Sequence, residues 1–205
     1  MPDYPTTPPP ENLEELLEAI ARARKLHPGF REAVSADLKT YLWYRFEPRD
    51  TSTRWRKLKQ IIRLAWKSDA FFGLMCYRLK ASLQKKGVPI LPDIAHRFAM
   101  SFAQICIGDP VVVQPGIYIA HGQVVIDGLT RVDSNVVLFP WITVGLRSGH
   151  LVGPTIEKGV QVGTGSKVIG PVVIGEGAKI GANAVVLENV PPRTTVVGIP
   201  AREVQ

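Results

Sequence analysis

No apolar run in this 205-residue chain approaches the roughly 20 residues a membrane-spanning helix needs. The opening segment MPDYPTTPPP lacks the basic and apolar regions of a secretory signal, so a cytoplasmic location is expected. Cysteine is scarce too. Cys76 and Cys106 lie in apolar surroundings without metal-ligand spacing, which argues against a disulfide framework and reads as two buried thiols. The histidines, His27, His96, His121 and His150, are scattered, and no two have zinc-motif spacing. No metal is expected.

Acidic residues are outnumbered, 18 against 25 basic ones, for a net charge of +7. The first 100 residues carry 18 basic and 11 acidic side chains and the remainder seven of each, so the whole excess lies in the first half. It concentrates in TSTRWRKLKQIIRLAWK, where Arg54, Arg56, Lys57, Lys59, Arg63 and Lys67 surround Trp55, Leu58, Ile62 and Trp66. At helical spacing this is an amphipathic basic helix. A solvated basic face over an apolar stripe packed inward accounts for it, and contact of residues 54–67 with an anionic membrane surface or another polyanion is the alternative. No nucleic-acid partner is expected.

Residues 1–10, with five prolines, form no regular element and read as a flexible tail. Helical patterns fill residues 11–105. ENLEELLEAIARARKLH stops at Pro28–Gly29, a second helix runs from Arg31 to Phe46, and the basic segment is the third. A fourth starts at the capping pair Ser68–Asp69 and ends at Gly87, and a fifth runs from Pro92 to Ile105.

From Cys106 onward the period changes. Aliphatic residues recur every six positions: Ile107, Val113, Ile119 and Val125, then Val132, Leu138 and Val144, then Ile156, Val162, Val168, Ile174, Ile180 and Val186. Six residues suit one flat side of a β-solenoid, and three sides make a coil of roughly 18 residues whose aliphatics stack in an internal column. One extra residue between Val125 and Val132 shifts the phase, and GLRSGHLVGPT, between Val144 and Ile156, reads as a loop leaving the solenoid. Loops held on rigid scaffolds commonly carry function.

The stretch VLENVPPRTTVVGIPAR, the segment IGEGAKIGANAVV, and His121 followed by Gly122 together resemble the hexapeptide-repeat acyltransferases, specifically the serine O-acetyltransferase group. The likeness covers Cys106 to Arg202 and extends to Tyr77–Arg78 and Phe46–Glu47–Pro48 in the helical half. It implies an α+β protein in which an N-terminal helical domain, 11–105, precedes a left-handed parallel β-helix, 106–205. It also implies a homotrimer, with dimers of trimers as a further option, and acetyl-CoA running along the groove between neighbouring solenoids.

The implied reaction moves an acetyl group from a thioester to an alcohol, as in cysteine biosynthesis. A hydroxyl is a poor nucleophile near neutral pH, so a base must take its proton during attack, and imidazole suits that role. The His–Gly signature places the base at His121. The family's cofactor contacts fall on Gly145, Thr164 and Ala182, with backbone amides near Gly145 as candidate oxyanion donors. Lys179, and with it Lys167, Arg193 and Arg202, are candidates for the CoA phosphates. Glu47 matches the acid expected to meet the acceptor's amino group.

Several positions depart from the family. The acid expected 15 residues before the catalytic histidine is Cys106, and the acid directly before it is Ala120. The nearby Asp109 and Asp127 read as turn or surface residues. The Arg–His pair that binds the amino-acid acceptor aligns with Val152–Gly153, leaving Arg147 and His150 of the same loop as candidate replacements. The chain stops five residues after Pro200, so the tail that engages cysteine synthase is not predicted. L-serine is the acceptor named by resemblance. A sugar or cell-surface polysaccharide hydroxyl is the alternative, a non-catalytic trimeric scaffold a reading from another class, and a metal-dependent hydratase the last.

Overall fold

The computed structural model describes residues 13–48, 50–148 and 150–204, so the proline-rich segment 1–10 falls outside the described residues. Five helices come first: α1 (Leu13–Lys25), α2 (Phe30–Tyr44), α3 (Arg54–Lys67), α4 (Asp69–Lys85) and α5 (Leu91–Ala103). Their ends follow local chemistry. Thr53 caps α3 by accepting the Arg56 N–H at 3.2 Å, and Ser68 ends α3 and caps α4 by accepting the Phe71 N–H at 3.3 Å. α5 stops two residues before the expected Ile105, because Gln104 turns into the left-handed region at φ 53° and Ile105 enters the first strand.

α4 is the pivot, burying Phe71, Leu74 and Tyr77 against its neighbours. α3 lies the other way up from the simple expectation. Leu64 is buried and Ile61 partly so, while Trp55, Leu58, Ile62 and Trp66, the stripe expected to pack inward, face solvent. The cause is register: residues 57, 60, 61, 64 and 65 form the side that meets the protein, and the richer apolar stripe is opposite.

Beyond α5 the chain winds into a three-sided parallel β-helix of about five coils. The first face stacks β1 (Ile105–Ile107), β4 (Val124–Ile126), β7 (Ile142–Gly145), β10 (Lys167–Ile169) and β13 (Val185–Val186). The second stacks β2 (Val112–Val113), β5 (Leu129–Val132), β8 (Val152–Ile156) and β11 (Val173–Ile174). The third stacks β3 (Tyr118–Ile119), β6 (Val137–Leu138), β9 (Gln161–Val162), β12 (Lys179–Ile180), β14 (Thr195–Val197) and an antiparallel β15 (Arg202–Val204).

Hexad aliphatics meet in register inside the prism. Ile119 pairs with Leu138, Leu138 with Val162, and Val162 with Ile180. Val125 is the exception. It points outward, 41% exposed, and Ile126 takes the interior place between Ile107 and Val144. The extra residue therefore falls between Ile119 and Ile126, in the corner carrying His121, and not between Val125 and Val132 as the hexad phase predicts. The triplet Val124–Val125–Ile126 is uniformly aliphatic, so only strand pairing selects which side chains enter.

A solenoid's first coil leaves backbone groups unpaired on its open end. Here the helices supply the partners. Arg78 donates to both oxygens of Asp37, at 2.8 and 3.1 Å, and to the carbonyls of Val113 and Gln114. Asp37 accepts the Gly116 and Ile117 amides at 2.8 and 3.2 Å. The Tyr41 and Tyr77 hydroxyls donate to the Ile119 and Val111 carbonyls, and Lys80 donates to the Ile107 carbonyl. The Tyr–Arg pair visible in the sequence is thus a seal on the prism. At the opposite end, Val185 donates to the Gly198 carbonyl and accepts from the Ala201 N–H, and β15 covers β14.

His27 sits beneath this seal, 2% exposed, with neither ring nitrogen hydrogen-bonded among the described residues. Burial first, then the Arg78, Lys85, Lys80 and Arg24 charges, push its pKa down to about 4. The folded chain keeps the imidazole neutral where the unfolded chain takes a proton. Its contribution is therefore complete above pH 6.5 and lost as pH falls toward 4, on the order of 3 kcal/mol. Denaturant unfolding at the two ends of this window should show the drop, and His27→Leu should flatten it. An unchanged pH slope in the variant would exclude His27 as its source.

Cys76 is buried as expected, whereas Cys106 is half-buried because it belongs to the outward row of the first face.

Candidate active site

His121 stands exposed on the corner between β3 and β4. Its neighbour Gly122 is buried so tightly that a Cβ there would lie 1.8 Å from the Ala103 carbonyl oxygen. Only glycine fits that approach. Gln123 N–H donates to the same carbonyl at 3.2 Å and Val124 N–H to Gln104 at 3.1 Å. Carbonyls that the end of α5 leaves unpaired thereby hold the histidine's turn in place.

Successive coils stack their corners above it. Trp141 N–H donates to the Gln123 carbonyl at 2.8 Å, Gly165 N–H to Pro140 at 2.9 Å and Asn183 N–H to Thr164 at 2.8 Å. His121, Trp141, Thr164 and Ala182 consequently lie along one edge of the prism, and all four are exposed. Trp141 was not singled out by the sequence. It is 60% exposed with φ 67°, and Lys167 Nζ donates to its carbonyl at 2.7 Å. The signal available was a tryptophan breaking an aliphatic strand just after Pro140.

The outward row of the first face runs Cys106, Val125, Thr143, Lys167 and Val185. Gly145 lies at the far end of β7, buried, its carbonyl accepting the Gly170 N–H at 2.9 Å. Arg147 and His150 are exposed in the loop that follows, closed by a 2.9 Å bond from His150 N–H to the Arg147 carbonyl, and neither has an ion pair among the described residues. The sequence-derived residues therefore divide. Thr164 and Ala182 share the His121 edge, Gly145 and the loop lie across the first face, and Lys179 stands exposed on the third face beside Gln161 and Thr195.

Glu47 is held elsewhere. Arg45 Nε donates to its Oε1 at 2.9 Å and Arg63 Nη2 to its Oε2, tying the end of α2 to α3. The Arg45 hydrogen bond leads the effects that keep this carboxyl below its ordinary range. No hydrogen bond joins Glu47 to His121 among the described residues.

Among the described residues no ion pair or hydrogen bond joins an acid to the His121 ring. Burial, then the Asp127 charge, pushes the Cys106 thiol up, so the position expected to be an acid holds a neutral group. Asp127 accepts the Gly128 N–H at 2.7 Å and Asp109 pairs with Lys80 Nζ at 2.7 Å, so both are engaged away from the imidazole. Gly153 has no room for a side chain, because a Cβ would lie 2.0 Å from Thr130 Oγ1. Among the described residues no cluster of His, Cys, Asp and Glu could hold a metal ion.

Residues 153–188 match the family described as bacterial transferase hexapeptide (six repeats). The serine acetyltransferase of Helicobacter pylori is 35% identical over 136 residues, covering 64% of this chain and 79% of that protein. This chain belongs to the serine acetyltransferase family. The serine acetyltransferase of Synechococcus elongatus is likewise 35% identical over 136 residues, covering 64% of this chain and 55% of the relative. The chain thus spans about half the length of several curated relatives it matches. The solved serine acetyltransferase of Vibrio cholerae superposes with a TM-score of 0.71 at 28% identity, covering 91% of this chain and 69% of that one. As a member of the serine acetyltransferase family, the chain carries the hexapeptide repeat over residues 153–188.

Proposed function

We propose that this chain is an O-acetyltransferase that moves acetyl from acetyl-CoA to the hydroxyl of a small acceptor, L-serine first. The observation that carries the reading is the exposed His121, fixed by the end of α5 on an edge shared with Thr164 and Ala182. As the acceptor oxygen attacks the thioester carbonyl, His121 takes its proton. The tetrahedral intermediate collapses with cleavage of the C–S bond, and the imidazolium returns the proton to the departing CoA sulfur. Backbone amides near Gly145 stabilise the oxyanion. Thr164 and Ala182 line the pantetheine path, and Lys179 meets a CoA phosphate.

The working unit is a homotrimer, in which the groove beside each edge is completed by a neighbouring prism. A dimer of trimers is a further option. Arg147 and His150 meet the acceptor across that groove, and Glu47 meets its amino group by exchanging the Arg45 and Arg63 partners it now holds. The setting is cytoplasmic, and the product would feed cysteine formation.

A sugar hydroxyl is the second reading, and specific observations favour it. The closed space at Gly153 removes one of the two side chains expected to hold an amino-acid carboxylate, and Val152 replaces the other. Thiol release from acetyl-CoA, followed against L-serine and a panel of sugars and oligosaccharides, separates the readings. Serine-dependent release is expected. Release with sugars alone assigns the second reading, and no release with any acceptor leaves a trimeric scaffold.

A further inference from the structure

The face of α3 turned away from the other described residues is a different kind of surface from the prism edge. Trp55, Leu58, Ile62 and Trp66 are 65%, 44%, 61% and 90% exposed. At helical spacing they fall on one side and form a stripe about 16 Å long. Lys59 lies within the stripe, its ammonium over the Trp55 ring at 5.9 Å. Arg54 borders one side of the stripe, and Arg56, Arg63 and Lys67 border the other. Two of the helix's six cations have acidic partners, Arg56 with Asp50 and Arg63 with Glu47. Arg54, Lys57, Lys59 and Lys67 have no ion pair among the described residues, and α3 contains no acid.

We infer that this face of α3 docks on the surface of an anionic phospholipid bilayer. Charge selects the occupant. A second copy of the same helix would set like charges against each other around the stripe, whereas a sheet of phosphate headgroups offers the opposite sign along its whole length. The apolar side chains select it too. Tryptophans at both ends of a short stripe suit the headgroup level, where an indole buries its ring and keeps its N–H wet, while the bordering cations stay among phosphates. A soluble polyanion would satisfy the cations and leave both indoles in water. No helix of the described residues is long and apolar enough to cross a membrane, so the contact is peripheral. Docking does not depend on the acetyl-transfer reading.

The test is flotation of the full chain with vesicles of phosphatidylcholine alone and of phosphatidylcholine mixed with phosphatidylglycerol. Binding to the mixed vesicles should exceed binding to the neutral ones by roughly tenfold or more, fall in high salt, and shift tryptophan emission to the blue. Trp66→Ser and Lys67→Glu should each reduce flotation severalfold while leaving circular dichroism and the mass in solution unchanged. Equal binding to both vesicles, or no flotation, overturns the inference. So does a change of oligomeric mass in Trp66→Ser, which would assign the face to a second copy. Retention on heparin undiminished by Trp66→Ser, without flotation, would assign it to a soluble polyanion and overturn it equally.

Discussion

Replacing His121 with Asn should lower turnover of acetyl-CoA by roughly 100-fold or more, the usual scale for removing a general base. The amide keeps the size and polarity of the side chain but cannot take a proton from the acceptor. Nothing else in the corner depends on the ring, since the turn is held by backbone bonds to Ala103 and Gln104. The variant should therefore keep its melting temperature and its mass in solution, and still bind CoA. Steady-state kinetics beside a CoA titration separate these effects. Turnover within a few-fold of the parent chain would remove His121 from the mechanism, and lost CoA binding would make it a ligand contact.

Arg78→Met should be the most damaging single change outside that corner. The guanidinium is 2% exposed and its partner Asp37 1%, so its removal strands a carboxylate where water cannot reach it. Breaking such a pair from one side costs about 3–5 kcal/mol, a large share of a domain's usual 5–15 kcal/mol. In a chain of this size that is a fall in melting temperature of roughly 6–20 °C. Methionine keeps the apolar stem, so the loss is chiefly that of the charge and its hydrogen bonds to Asp37, Val113 and Gln114. Amide exchange should quicken first at Gly116 and Ile117, whose N–H groups Asp37 accepts. A melting temperature within a few degrees of the parent would mean that the seal contributes little.

The prism was legible because its period is covalent arithmetic. Each six residues form one side, and any aliphatic in the right phase must enter the core. The reading slipped at Val125, where three aliphatics in a row leave the phase undetermined until Ile107 and Val144 select Ile126. Helices were legible from their caps, as at Ser68, but the orientation of α3 was not. Both of its long faces are apolar, and the one with fewer large residues proved to be the inner one. The Asp37–Arg78 pair was invisible for another reason: its members are 41 positions apart, and a lone acid within a helix ordinarily reads as solvated. Among the candidate site residues, the His–Gly pair was legible through the family resemblance alone, and the close approach that demands the glycine appears only once α5 is set against the corner. Trp141 joins that edge only once coils are stacked, and Glu47's engagement by two arginines requires α2 and α3 to be docked.

A column of rungs with raw ends could add copies along its axis without limit, as fibrils do. Here helices shut one end through Asp37, Arg78 and two tyrosines, and the turn from Gly198 to Ala201 folds over the other. Any association of copies is therefore left to the flanks, the geometry that a closed ring requires. The His121 corner belongs to a flank, so the same plugs that shut the ends leave it on the side where the proposed trimer would bring a second copy.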